Sequence, residues 1–320
     1  MSHAMSPRMP VRTSRAGVRA VALAVLFCLA AGCQRSEAPA DAVSTGPATP
    51  AATVQAMAKQ LQSGDLAGYT TTAVPPELHA ELEAAWRDGR SRWPLSELPL
   101  TGKVLPLLAA FGAEDAEQSL MAAFDRQFAG AERELDAAAE SLALFGVQYV
   151  QNEGEFSDAE RVHYAQAIEA LGNWAKSAPL ADRERAKASI VRLASAARAT
   201  GLDEPADLQA LGMRESLERL QPFFAAALRT LDDYGLDLRG SVEGMQVVSV
   251  AEDGDRATVD VRYPLAGRTI TTRVHLERID RQWYSSDSIR NARASLAGTD
   301  GRGMDDPADP ADPTDADEAR

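Results

Sequence analysis

The segment ATVDVRYPLAGRTITTRVHLE (Ala257–Glu277) alternates apolar and polar residues, and that period of two decides the fold. Ala257, Val259, Val261 and Tyr263 share one side, with Thr258, Asp260 and Arg262 on the other. Ile270, Thr272, Val274 and Leu276 repeat the pattern, with Thr271, Arg273, His275 and Glu277 turned the opposite way. Such alternation marks strands with one buried and one wet face. Turn residues separate them at Glu252–Asp255, at Pro264–Gly267 and at Asp280-Arg281. With MQVVSV before and QWYSSD after, the spacing predicts a four-stranded antiparallel meander within 236–292. A single sheet of this kind needs a cover on its apolar face.

The cover is predicted upstream. From Ala51 to about Gly235 the apolar residues recur at helical spacing. SDAERVHYAQAIEALGNWAKS opens with Ser157 and Glu160 at capping-box spacing and repeats Val162, Ala165, Ile168 and Gly172 on one face. PLADRERAKASIVRLASAARATG starts at Pro179 and stops at Gly201, a residue suited to a left-handed helix end. AERELDAAAESLALFGVQYV and RESLERLQPFFAAALRTLDDYG are two more, and Pro222 in the latter should break or kink it. The pattern yields about seven to nine helices with no repeat of fixed period. The expected class is therefore α+β, with a mostly helical N-terminal two-thirds packed on a C-terminal four-stranded antiparallel meander.

Both cysteines of the chain lie near its beginning, in VALAVLFCLAAGCQRSEAP (Val21–Pro39). Arg8, Arg12, Arg15 and Arg19 precede an uncharged run from Ala20 to Gly32, and no acidic residue occurs before Glu37. A run of this length falls short of the ~20 residues that cross a bilayer. A basic start, a short apolar run and a small-residue exit describe a secretory signal peptide over 1–32. The arginines are scattered, without the adjacent pair of a twin-arginine signal.

The exit, Leu29-Ala30-Ala31-Gly32-Cys33, resembles the lipobox of bacterial lipoproteins. Ala30 departs from the leucine that is commonest three residues before the cysteine. The resemblance implies a diacylglycerol thioether on Cys33, cleavage before it, and acylation of the new amino group; Cys28 would leave with the leader. Membrane attachment through acyl chains follows, because more than one chain anchors stably. Gln34, where an aspartate would favour inner-membrane retention, points to the outer membrane, with the body facing the periplasm.

Charge bounds the partners. The chain holds 33 basic and 47 acidic residues; four of the basic ones and no acid precede Cys33, leaving 29 against 47 and a net charge of −18. Such a body repels phosphate backbones, so no nucleic-acid partner is expected. Residues 33–50 are rich in Ala, Ser, Pro and Thr and read as a flexible tether. Residues 293–320 read as a disordered acidic tail, with eight acids against two arginines from Thr299 onward.

The end of the meander, VHLERIDRQWYSSD, places Trp283 and Tyr284 after a tight polar turn. In this it resembles the second half of the nuclear-transport-factor-like superfamily, cone-shaped α+β domains that include several enzymes and many non-enzymatic lipoproteins. That fold carries fewer helices ahead of its sheet than this chain. The resemblance implies that sheet and helices could enclose a ligand pocket.

Chemistry-bearing motifs are scarce. His79 and Glu83 stand one helical turn apart, the spacing of two metal ligands, but zinc needs a third and none is near. The expectation for His79 is a solvated helix face. His163, beside Tyr164, is expected to make an interhelical contact. No nucleophile elbow, phosphate loop or dinucleotide glycine pattern occurs, so no catalytic residue, metal or cofactor is assigned. In SRWPLSELPL, Trp93, Leu95, Leu98 and Leu100 are expected to pack over the helical layer. The sequence thus favours a lipid-anchored, non-catalytic binding or assembly module with an envelope protein as partner. The alternative is a small-molecule binder or enzyme using a pocket between sheet and helices, with Tyr263 and His275 as its polar candidates. A filled seam with an exposed apolar patch elsewhere would favour the first, and a roomy pocket the second.

Overall fold

The computed structural model describes residues 47–98, 102–153, 156–202 and 204–298. Cys33, its leader, most of the tether, Leu100 and the acidic stretch after Gly298 lie outside the described residues. The architecture is α+β: among the described residues eleven α-helices precede a four-stranded antiparallel sheet in the order β1-β2-β3-β4, and a twelfth helix follows it. The helices are α1 (Pro50–Ser63), α2 (Leu66–Ala73), α3 (Pro76–Arg87), α4 (Val104–Gly112), α5 (Ala116–Gln127) and α6 (Glu132–Asn152). Then come α7 (Asp158–Ser177), α8 (Arg183–Thr200), α9 (Pro205–Leu211), α10 (Met213–Asp233), α11 (Leu238–Glu243) and, last, α12 (Ser286–Leu296). More helices form than the periodicity suggests because α2, α9 and α11 are too short to show a repeat.

The strands fall where the alternation placed them: β1 (Gln246–Asp253), β2 (Arg256–Leu265), β3 (Arg268–Ile279) and β4 (Gln282–Ser285). Val259 pairs with Val274, and Tyr263 with Ile270, so inward residues stand opposite inward residues. The β2–β3 hairpin turns through Ala266 (φ 47°) and Gly267 (φ 78°), and the β3–β4 hairpin through Asp280 (φ 48°) and Arg281 (φ 68°). Positive φ at both central positions matches the right-handed twist of the flanking strands. The edge strand β1 has a register shift between Val247 and Ser249 and is almost wholly exposed, an irregularity that blunts pairing at an open edge.

Two apolar cores result. One joins α7, α11, Val54 of α1 and the inner face of the sheet, including Val259, Val261, Tyr263, Ile270 and Trp283. The other is built from α1–α3, α8–α10, β4 and α12, around Trp86, Trp93, Met213 and Leu217. Trp93 and Leu95 of the proline-rich loop are buried there and Leu98 packs against them, so the loop covers the helical layer as its apolar residues suggest.

Several boundaries differ from the sequence reading. Pro50, read as tether, is the buried first residue of α1, capped by Thr49, whose side chain accepts from the Ala52 amide. The stretch read as meander also holds α11, and α12 runs on to Leu296, into the stretch read as tail. Ser285 caps α12 by accepting from the Ser288 amide, and Ile289, Ala292 and Ser295 are buried. Two buried hydroxyl pairs fix that helix: Tyr69 Oη with Ser288 Oγ at 2.9 Å, and Ser91 Oγ with Ser295 Oγ at 2.6 Å. Helix α10 continues through Pro222. The proline sits on the exposed side of the helix, where solvent can satisfy the Glu218 carbonyl left without its helical donor.

Candidate functional site

The two polar pocket candidates lie on opposite sides of the sheet. Tyr263 is 1% exposed and faces the helices, whereas His275 is on the outer, exposed face with Nδ1 3.4 Å from Thr258 Oγ1. They cannot converge on one ligand, because residues of opposite strand parity point apart. On the outer face beside His275, Asp260 accepts from Arg273 Nε at 2.7 Å and from Ser249 Oγ at 2.7 Å. Those bonds hold the Asp260 carboxyl below its ordinary range, the Arg273 contact first.

Tyr263 instead meets His163 of α7. The Tyr263 hydroxyl oxygen is 2.9 Å from His163 Nε2, and Thr272 Oγ1 is 3.3 Å from Nδ1. His163 therefore bridges helix to sheet, not helix to helix as its neighbourhood in sequence suggests. A neutral imidazole has one donor and one acceptor nitrogen, and hydroxyls at both ends complete it. Burial is the main cause that lowers the His163 pKa to about 4; the nearby Glu160 carboxylate opposes it. Around the pair the seam is filled by Ala167, Ala170, Val261 and Leu265, all buried. The arrangement is a satisfied polar contact inside a packed core.

His79 is half-buried, with Nε2 3.2 Å from Thr70 Oγ1, and its pKa is lowered first by burial and then by Arg214. Glu83, one turn on, is occupied elsewhere: it accepts from Arg87 at 2.9 Å and from the Arg214 amide at 3.2 Å. Among the described residues no group of three His, Cys, Asp or Glu side chains is placed to hold a metal ion. A cleft of about 450 Å³ opens at the junction of α6, α7 and α8, lined by Glu132, Asp136, Asp182 and Arg183 over Leu135 and Leu180. Two of its polar groups are engaged: Asp182 caps α8 by accepting from the amides of Glu184 and Arg185 at 3.0 Å, and Arg183 donates to Asp125 at 2.8 Å. No sheet residue lines it.

The strongest unexplained surface is on α6. This helix rests along one side on α7, its one extended neighbour among the described elements. The approach is close because the residues there are small: a Cβ added to Gly172 would lie 2.5 Å from Ala143 Cβ, and one at Gly146 would lie 3.2 Å from Ile168. Away from α7 and from its C-terminal turn, where Val150 and Tyr149 join the sheet-side core, α6 is solvent-facing, yet Leu142 is 70%, Leu144 60% and Phe145 66% exposed. Leu135, Ala138, Leu142, Phe145 and Tyr149 follow a three–four alternation, which aligns them in one stripe along the helix. Ala138, Leu142 and Phe145 are the exposed middle of the stripe, while Leu135 and Tyr149 at the ends are half-buried and Tyr149 packs against the sheet-side core. The rings of Phe145 and Tyr149 are 6.2 Å apart, centroid to centroid. Leu144 lies outside the stripe by the same geometry. Large apolar side chains gathered on one exposed strip mark an interaction surface more often than scattered ones do. Sequence reading identified α6 as a helix but missed this second apolar face.

No known protein family matches the chain, and neither a curated protein nor a solved structure is similar to it.

Proposed function

We propose that the chain is a lipid-anchored protein of the bacterial envelope whose folded body is a non-catalytic binding or assembly module. In this reading acyl chains on Cys33 hold it to the outer membrane, the body faces the periplasm, and its docking surface is the apolar stripe of α6. The single observation that carries the module reading is that stripe, with Leu142 and Phe145 about two-thirds exposed while the seam between sheet and helices is packed. The leader supports the address: basic residues, a short apolar run and Leu29-Ala30-Ala31-Gly32-Cys33 occur in the order that lipoproteins use. No helix of the described residues is long and apolar enough to cross a membrane; in this reading the anchor is Cys33. The placement of Tyr263 and His275 on opposite faces counts against a ligand pocket built on both.

The test is affinity capture of the anchored protein from envelope extracts, with mass spectrometry of the bound proteins and of the mature N-terminus. The expected result is an acylated Cys33 terminus and bound protein that is lost with Phe145→Glu. An unmodified thiol at Cys33 overturns the address, and binding indifferent to Phe145→Glu overturns the module reading.

A further inference from the structure

We propose that the occupant of the α6 stripe is α6 of a second copy of this chain, packed antiparallel. This rests on the reading of the stripe as a docking surface and names its partner. The spacing selects a helix: the exposed residues Ala138, Leu142 and Phe145 recur at four and three, continued at either end by the half-buried Leu135 and Tyr149, the pattern by which one helix lays its side chains into the gaps of another. A flat or extended partner would not require that period.

Size then selects self-pairing in one direction. If the axis passes between Ser141 and Leu142, Phe145 of each copy falls opposite Ala138 of the other, a large side chain against a small one at both ends of the contact. Parallel pairing would set Phe145 against Phe145 and leave a gap between the two Ala138 methyl groups.

Charge agrees. Glu132, Glu134, Asp136 and Glu140 crowd the N-terminal half of α6 with only Arg133 among them, and no charged residue occurs from Ser141 to Asn152. Antiparallel packing sets the acidic half of each helix against the uncharged half of the other, whereas parallel packing sets acid on acid. The uncharged half ends beside Arg161, whose guanidinium donates to the carbonyls of Val150, Gln151 and Glu153. In the antiparallel register Glu134 of the second copy comes over that end. The contact is isologous and closes at two copies.

The test uses the full chain extracted in mild detergent. Light scattering should give twice the chain mass for the unsubstituted protein and one chain mass for Phe145→Glu, with unchanged circular dichroism because Phe145 makes its replacement at the surface. Mild oxidation should cross-link Leu142→Cys to itself and leave Leu144→Cys, off the stripe, no more cross-linked than the unsubstituted chain. A single-chain mass for the unsubstituted protein, or equal cross-linking at both positions, overturns the pairing. If the chain is single but still captures an envelope protein in a Phe145-dependent manner, self-pairing fails and the docking reading stands. If capture also ignores Phe145→Glu, both fail.

Discussion

The hydroxyl of Tyr263 and Nε2 of His163 lie 2.9 Å apart in the buried seam, joining residues one hundred positions apart in the chain. This contact ties the inner face of β2 to α7 and turns two residues with reactive side chains into a structural pair. Thr272 closes the other end of the imidazole, so the ring has no unsatisfied nitrogen. A buried imidazole in such a place is stable only while neutral.

That condition gives stability a dependence on pH. Burial holds His163 at about 4 in the folded chain, against ~6.5 when unfolded. Between those values the unfolded chain binds the extra proton, so the stabilisation is complete above about pH 6.5, declines as acid is added, and is gone by about pH 4. The span corresponds to on the order of 3 kcal/mol. Urea unfolding at pH 7.5 and pH 5 should show a smaller difference for His163→Gln than for the unsubstituted chain. The same difference in both would show that His163 does not set this dependence.

The contact of α6 with α7 makes a second prediction. Replacing glycine by alanine inside a helix ordinarily gains about 1 kcal/mol. At Gly172 the new methyl would stand 2.5 Å from Ala143 Cβ, which forces the two helices apart. Gly172→Ala should therefore destabilise by about 1–3 kcal/mol. Gly112→Ala, with nothing within 4 Å of its added Cβ, should cause no such loss. Thermal unfolding of the two variants decides it, and a stabilised Gly172→Ala contradicts the packing described.

Helix α12 should matter to the whole body. Ile289 is 1% exposed and belongs to the helical core with Trp86 and Leu217. Ile289→Ala should cost about 2–5 kcal/mol, read as a lower urea midpoint. A cost near zero would mean that α12 is not docked.

These elements differ in how far the chain announces them. The meander was legible because alternation over β2 and β3 is a local property, and it also put His275 on the wet face correctly. Helix α12 was missed because SSDSIRNARASL is mostly polar, and its buried serines are stabilised by partners distant in sequence, Tyr69 and Ser91. Tyr263 was recognisable as inward-facing, but nothing local to either residue tells that His163 is its partner. On α6 the periodic signal is double, one seam of Ala139, Ala143 and Gly146 and a second of Ala138, Leu142 and Phe145. Periodicity shows both seams; only the placement of α7 shows which one is covered.

The proposed address has its own test. Cys33→Ser removes the sulfur that would carry the thioether, so the protein should move from the detergent phase to the aqueous phase on partition of cell extracts. Unchanged partition would defeat acyl anchoring at that residue.

The central claim, that the α6 stripe is covered in the envelope, is met most directly by a matched pair of cysteines. Ala138 and Ala137 are adjacent and both exposed in the single chain, but only Ala138 lies on the stripe. In isolated envelopes, a maleimide should label Ala137→Cys readily and Ala138→Cys several-fold more slowly, with the difference abolished when Phe145→Glu is added. Equal labelling of the two cysteines in intact envelopes would contradict the account.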